Sequence, residues 1–96
     1  MVYTVASIYF KDNYTEEAYE EYKAAMTPVI AKYNGRYIIR TNNFSAKSEL
    51  WKPDRLVVIE YDDMAAMQCC VTSEEFKAAV RLKNRIAETR SIIVEQ

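Results

Sequence analysis

Four segments of the chain carry the spacing of apolar residues that predicts β-strands. Residues 2–10 and 36–41 alternate their side chains between two faces, whereas 56–61 contains an unbroken aliphatic run and 90–95 a shorter one. The first, third and last of these segments have no clearly polar face. A strand that is apolar on both faces has to be covered on both faces. Residues 44–50 can extend the second strand as a further arm.

The first helix is predicted by aromatic and aliphatic residues at three- and four-residue spacings over residues 19–33. Asn13 and Glu16 are spaced as a capping box, which indicates that the helix starts beside them. Pro28 should kink this helix because it removes a backbone hydrogen bond. Gly35 is expected to end it in the left-handed conformation.

The second helix follows the third strand and should be broken in two. Asp62 or Asp63 can cap a first part that contains the apolar residues 64–70. Thr72 and Glu75 form a second capping box, so the helix is expected to restart there. The apolar pattern then continues at Phe76, Ala79, Val80, Lys83 and Ile86.

The order strand, helix, strand, strand, broken helix, strand predicts one α+β domain over residues 1–96. Its architecture is the ferredoxin-like βαββαβ protomer, a four-stranded antiparallel sheet with two helices on one face. Two helices cover only one face, although three strands are apolar on both. We therefore expect a homodimer in which the open sheet faces of two copies pack together.

The composition excludes several classes of function. The chain has 96 residues and a formal net charge of −1, so it has no basic excess for binding nucleic acid or an anionic membrane. It has no histidine, the commonest zinc ligand and general base. Cys69 and Cys70 are adjacent and are expected to be small apolar fillers. We therefore expect no metal and no cofactor.

The sequence also gives an expectation about location. No apolar run approaches the ~20 residues of a membrane span, and no signal peptide opens the chain. A cytoplasmic location is therefore expected.

Several residues have both a functional and a structural interpretation. Trp51 precedes the third strand and either closes the end of the core or forms the wall of a ligand cleft. Arg40 lies in a strand among aliphatic residues, so it needs a carboxylate such as Glu60 or the anion of a ligand. Arg81 and Arg85 share a helical face and are expected to be solvated.

Parts of the sequence resemble a known family. The stretches AYEEYKAAMTPVIAKYNGRYIIR, E-x-W-x-P-x-RLVVIEY, TSEEFKAA and IIVE are similar to the domain-of-unknown-function 1330 family over essentially the whole chain. The W-x-P-x-R-hydrophobic-IE segment is the most specific part. The residues that match family-typical positions are Tyr22, Gly35, Arg40, Glu49, Trp51, Pro53, Arg55, Glu60, Ser73 and Arg85. The chain departs from the family at Asn34, Leu50 and Cys70, where a glycine, a glycine and an aromatic residue are usual.

The resemblance implies a fold but no established activity. The family belongs to the dimeric α/β-barrel group, which implies a ferredoxin-like protomer and a side-by-side barrel dimer. Members of that group include cofactor-free monooxygenases, isomerases and decarboxylase-like enzymes that act on hydrophobic, often aromatic, acids.

Two functions follow as alternatives. In the first, a small hydrophobic or aromatic acid is bound or transformed in a cleft between sheet and helices, with arginines on its carboxylate. Proton transfer would then fall to Glu60 or a tyrosine. The residues expected to line this cleft are Tyr22, Arg40, Trp51, Glu60 and Arg85. In the second, the protein is a non-catalytic dimeric structural or regulatory binding module, and the same residues only stabilise the fold.

Overall fold

The computed structural model describes residues 1–96. Its elements in chain order are β1 (Val2–Phe10), α1 (Glu16–Lys32), β2 (Arg36–Thr41), β3 (Arg55–Tyr61), α2 (Met64–Val71), α3 (Glu74–Asn84) and β4 (Ala87–Glu95). The four strands form one antiparallel sheet in the order β2-β3-β1-β4, and the helices pack on one of its faces. This confirms the predicted α+β fold, with the second helix present as two separate helices.

The strands differ from the prediction mainly at β4. This strand starts three residues earlier than expected, at Ala87, and pairs with β1 as far as Phe10. Residues 44–50 form no strand, so the predicted second arm is wrong. Because β3 and β1 are each paired on both sides, only the outer edges of β2 and β4 are free to pair with a further strand.

The N-terminus of α1 is capped by Thr15, whose Oγ1 accepts a hydrogen bond from the backbone N–H of Ala18 at 3.1 Å. The expected capping box at Asn13 is therefore wrong. The Asn13 side chain instead donates from Nδ2 to the backbone carbonyl of Arg85 at 3.0 Å, which ties the loop to the end of α3. Helix α1 continues through Pro28 to its last residue.

The end of α1 reverses the expected roles of Asn34 and Gly35. Asn34 takes the left-handed conformation, with a φ of 61°, and Gly35 does not. Asparagine tolerates this region better than most residues. A Cβ at Gly35 would lie 2.7 Å from Cγ2 of Ile30 and 3.0 Å from Cε1 of Tyr61. Glycine is therefore needed here for close packing between α1 and β3.

The break between α2 and α3 is where the sequence predicted it, with one cap shifted. Asp63 caps α2 by accepting from the N–H of Ala66 at 2.8 Å, as expected. Ser73, not Thr72, caps α3, and its Oγ accepts from the N–H of Phe76 at 3.2 Å. The hydroxyl of Thr72 instead donates to a carbonyl in the last turn of α2.

The two faces of the sheet have different surroundings. The helices cover one face, where the two buried clusters of the core lie. We call the uncovered side the open face. Its side chains are Tyr3, Val5, Ser7 and Tyr9 of β1, Arg36 and Ile39 of β2, Leu56, Val58 and Glu60 of β3, and Arg90, Ile92 and Val94 of β4.

Candidate functional site

A cavity of about 280 Å³ lies between the helix-covered face of the sheet and the helices. Its wall is mostly apolar, and six elements contribute to it. The residues that line it are Thr4, Ala6 and Ile8 of β1, Tyr22, Met26 and Ile30 of α1, Val57, Ile59 and Tyr61 of β3, Met67 and Val71 of α2, Phe76 and Lys83 of α3, and Thr89, Ser91 and Ile93 of β4. Ligand cavities in proteins are commonly apolar with a few polar groups, as this one is.

Lys83 is the charged residue of this cavity. Its residue surface is 8% exposed, and no ion pair or hydrogen bond of the structure includes its Nζ. Its Nζ lies over the ring face of Tyr22, 5.5 Å from the ring centroid. Burial disfavours the charged form and lowers the pKa of Lys83 to about 8. Burying an ammonium group without a hydrogen-bond acceptor costs free energy, and such an acceptor is what this site lacks.

The position of Lys83 follows from the helix on which it lies. It is four residues after Ala79, on the buried side of the last turn of α3. Its side chain therefore points between α3 and the sheet. The sequence pattern placed Lys83 in the apolar stripe but did not identify it as a functional residue. A lysine at an apolar position of the stripe was the signal that could have found it.

Thr89 adds a second polar group without a partner. Its Oγ1 is buried and makes no hydrogen bond. It lies on β4 opposite Ile8, in the wall of the same cavity. Buried hydroxyls in folded proteins almost always find a partner, so this one is an unsatisfied polar group beside the cavity. Nothing in the sequence around Thr89 distinguishes it from any strand threonine.

Two tyrosines bring phenol groups to the cavity. Burial raises the pKa of both Tyr22 and Tyr61, so each phenol stays protonated at neutral pH. The hydroxyl of Tyr61 donates to Sγ of Cys70 at 3.5 Å. Burial also raises the pKa of Cys70, which keeps its thiol protonated. Tyr22 lines the cavity as the sequence analysis expected.

Arg40 does not make the ion pair with Glu60 that the sequence suggested. That carboxylate accepts from Nε of Arg36 at 3.0 Å, because Arg36 and Glu60 are opposite each other on the open face. A bulge in β2 between Tyr37 and Ile39 turns Arg40 to the helix-covered face. There its guanidinium lies 4.2 Å from the ring centroid of Tyr37 and donates weakly to Oγ1 of Thr27 at 3.4 Å. Arg40 therefore has no carboxylate partner.

The structure does not bring the five expected cleft residues together. Trp51 lies on the open face, where its Nε1 donates to Oγ of Ser7 at 2.8 Å. Glu60 lies on the same face, on the far side of the sheet from the cavity. Arg85 is exposed just after the end of α3. Of the five, Tyr22 lines the cavity and Arg40 shares its side of the sheet. Within one protomer these five residues therefore form no single cleft, because Trp51 and Glu60 lie on the open face and Arg85 lies at the exposed end of α3.

No group of three or more histidine, cysteine, aspartate or glutamate side chains is arranged to hold a metal ion. None of the helices has the length and apolar character needed to cross a membrane.

The comparison with known families decides the classification. The sequence matches the family described as Domain of unknown function (DUF1330) over residues 1–96. The chain belongs to the DUF1330 family. The resemblance of the sequence stretches above is thereby confirmed. None of the curated proteins matches the chain significantly.

Solved structures show the fold that this DUF1330 chain shares with other proteins. RPA0582, a protein of unknown function from Rhodopseudomonas palustris, superposes with a TM-score of 0.79 at 16% identity, over 99% of this chain and 81% of that one. A dimeric ferredoxin-like protein of unknown function from Thermobifida fusca gives 0.74 at 13% identity, over 99% and 90%. SnoaB, a cofactor-independent oxygenase from Streptomyces nogalater, gives 0.70 at 14% identity, over 99% and 91%. These low identities establish a common fold and leave the activity of the DUF1330 chain to be argued from its own residues.

Proposed function

We propose that this protein is a cytoplasmic homodimer that binds a small hydrophobic or aromatic acid in the cavity between sheet and helices. The carboxylate of the acid pairs with the ammonium group of Lys83, and its apolar part fills the remaining space. The observation that carries this proposal is Lys83, a buried residue whose Nζ has no hydrogen-bond or ion-pair partner, in the wall of a mostly apolar cavity.

The energetics favour an anion beside Lys83. Holding its ammonium group in the cavity costs free energy, as the lowered pKa indicates. A bound carboxylate would return much of that free energy as a charge-assisted hydrogen bond. The hydroxyl of Thr89, which has no partner, would supply a second donor for a ligand oxygen. The same two groups would be poor partners for a cation or a pure hydrocarbon.

The size and lining of the cavity favour a small, partly aromatic ligand. A volume of about 280 Å³ is at the lower end of the roughly 300–1,000 Å³ typical of ligand sites. Tyr22, Phe76 and Met26 provide aromatic and thioether surfaces that suit a planar ring. An acid with one ring or a short alkyl chain fits these limits.

The proposal that two copies associate is based on the exposed aliphatic side chains of the open face. On the edge strand β4, Ile92 is 62% exposed and Val94 is 39% exposed. Ile39 of β2 is exposed on the same face of the sheet. Contiguous exposed aliphatic side chains of this kind mark interaction sites. A second copy would cover them by packing its own open face against this one. The Thermobifida fusca structure, a dimeric ferredoxin-like protein, supports self-association.

The binding proposal is tested by calorimetric titration with matched ligands at pH 7. Phenylacetate should bind at least tenfold more tightly than phenylacetamide, which has the same shape but no charge. Lys83→Met should abolish that preference, whereas Lys77→Met, at an exposed position of the same helix, should leave it unchanged. Equal affinities for the two ligands, or a preference that survives Lys83→Met, would refute the role of Lys83.

A further inference from the structure

We propose that the Nζ of Lys83 is also a nucleophile, which forms an imine with the carbonyl carbon of a small apolar aldehyde or ketone bound in the same cavity. This goes beyond reversible binding of an acid, because it assigns a covalent reaction and a second class of ligand to the site. It rests on the same cavity but not on the carboxylate pairing.

The surroundings of the amine leave its lone pair free to react. Of the seven lysines of the chain, Lys83 alone is buried. Its Nζ has neither a carboxylate nor a hydrogen-bond acceptor to hold it in the ammonium form. Four other lysines have such an acceptor within 3.1 Å: Lys11, Lys23, Lys32 and Lys52. Lysines that form imines in enzymes are desolvated in apolar pockets in this way.

The groups that face Lys83 include no carboxylate to hold it in the ammonium form, and the ring face of Tyr22, 5.5 Å away, favours that form only weakly. The titratable side chains in the cavity wall are Tyr22 from α1 and Tyr61 from β3, and both stay neutral at the pH values concerned. β1 and β4 contribute only hydroxyl and aliphatic groups to the wall. The lowered pKa of Lys83 leaves a useful fraction of neutral amine just above pH 7.

The reaction balances without a further reagent. The neutral amine attacks the carbonyl carbon, a C–N bond forms, and the proton lost by nitrogen goes to the carbonyl oxygen to give a carbinolamine. Nitrogen then donates its lone pair, the C–O bond breaks, and the second hydrogen of nitrogen is lost as a proton that ends on the departing oxygen, so that one water molecule leaves and a C=N bond remains. The hydroxyl of Thr89 is available to hydrogen-bond the oxygen during both steps. Water is scarce in an apolar cavity, which favours the imine over its hydrolysis.

Reductive trapping tests the inference on the native protein. Benzaldehyde and cyanoborohydride are added at pH 7.5, and the benzylated lysines are located by peptide mass spectrometry over time. Lys83 should be modified at least tenfold faster than exposed Lys77, and Lys83→Arg should lose that rapid phase because guanidinium forms no such imine. Modification of Lys83 at the rate of Lys77 or slower would overturn the inference.

A competing acid separates this inference from the binding proposal. Phenylacetate is added to the same trapping reaction, and its own affinity for the native protein is measured by calorimetry. Rapid trapping with no binding of phenylacetate would sustain the imine and refute the acid site. Binding of phenylacetate with no rapid trapping would do the reverse. If both hold, saturating phenylacetate should slow the modification of Lys83 at least tenfold, since one cavity serves both ligands.

Discussion

The two faces of the sheet differ in which groups lack a partner. On the helix-covered face, most aliphatic side chains are buried, with Ile93 an exception at 55% exposure, and the ammonium group of Lys83 has no counter-ion. On the open face, Arg36 pairs with Glu60 and Asp62, and aliphatic side chains such as Ile92 are exposed. The helix-covered face thus lacks a counter-ion, whereas the open face lacks cover for its aliphatic side chains.

This difference indicates two different partners. A missing counter-ion in a mostly apolar cavity of about 280 Å³ calls for a small anionic or carbonyl ligand. Missing apolar cover over a broad, gently twisted sheet calls for another sheet surface, and the same face of a second copy provides one. The following predictions test each side of this comparison.

The largest effect is expected for Ile92→Glu on the open face. In a symmetric dimer the change places two carboxylates in an apolar interface, which costs several kcal/mol, on the order of a 100-fold rise in the dissociation constant or more. Size-exclusion chromatography with light scattering should show a dimer for the native protein and a chain of 11.2 kDa for the variant. Ala78→Glu, on the exposed side of α3, serves as the control and should remain dimeric. A native protein that is monomeric at micromolar concentration would contradict the proposed interface.

On the helix-covered face, Lys83→Met should stabilise the protein. Because burial lowers the pKa of Lys83 from 10.5 to about 8, the buried ammonium costs about 3 kcal/mol at pH 7, and methionine avoids that cost. Urea unfolding at one protein concentration should show the gain in the free energy of unfolding. Lys77→Met should change it by less than about 0.5 kcal/mol. Destabilisation by Lys83→Met would mean that the amine has a favourable partner.

The pH dependence of that gain has a definite sign. Between pH 8 and 10.5 the unfolded chain holds a proton on Lys83 that the folded chain has lost, so the native protein gains stability relative to the Lys83→Met variant as the pH rises. The stability difference between the two proteins should therefore shrink by about 2 kcal/mol from pH 7 to pH 9.5. Tyrosine titration is common to both proteins and cancels in this difference. A constant difference would place the amine in solvent.

The smallest effect is expected for Trp51→Phe on the open face. The change removes the hydrogen bond from Nε1 to Oγ of buried Ser7 and should cost about 1 kcal/mol of unfolding free energy. The same substitution in a Ser7→Ala background should cost less, since the acceptor is already absent. Equal costs in both backgrounds would show that packing of the ring, and not the hydrogen bond, accounts for the effect.

The sequence predicted the fold well because its signals are local and repeated. Alternation and aliphatic runs located all four strands, and the break between α2 and α3 followed from capping residues. The errors in the helix ends arose where two nearby residues could each form the same cap or turn. Thr15 displaced Asn13 as a cap, and Asn34 took the left-handed conformation expected of Gly35.

The candidate site was predicted less well because it depends on which face each strand residue occupies. The bulge in β2 reverses the alternation between Tyr37 and Ile39, and no residue type announced it. It therefore separated Arg40 from Glu60. Trp51 comes from a loop that folds over the open face, a direction that periodicity cannot supply. Lys83 was assigned to the correct stripe, and only the structure revealed that its amine has no partner.

The central claim is that Lys83 is a buried amine awaiting a partner, and its titration tests this most directly. The Cε resonance of Lys83 in protein labelled with ¹³C-lysine is followed from pH 6 to 11, with Lys83→Arg used to assign it. A midpoint of about 8 is expected, and saturating phenylacetate should raise it. A midpoint near the 10.5 of a solvated lysine, unaffected by the acid, would contradict both the cavity site and the functions proposed for it.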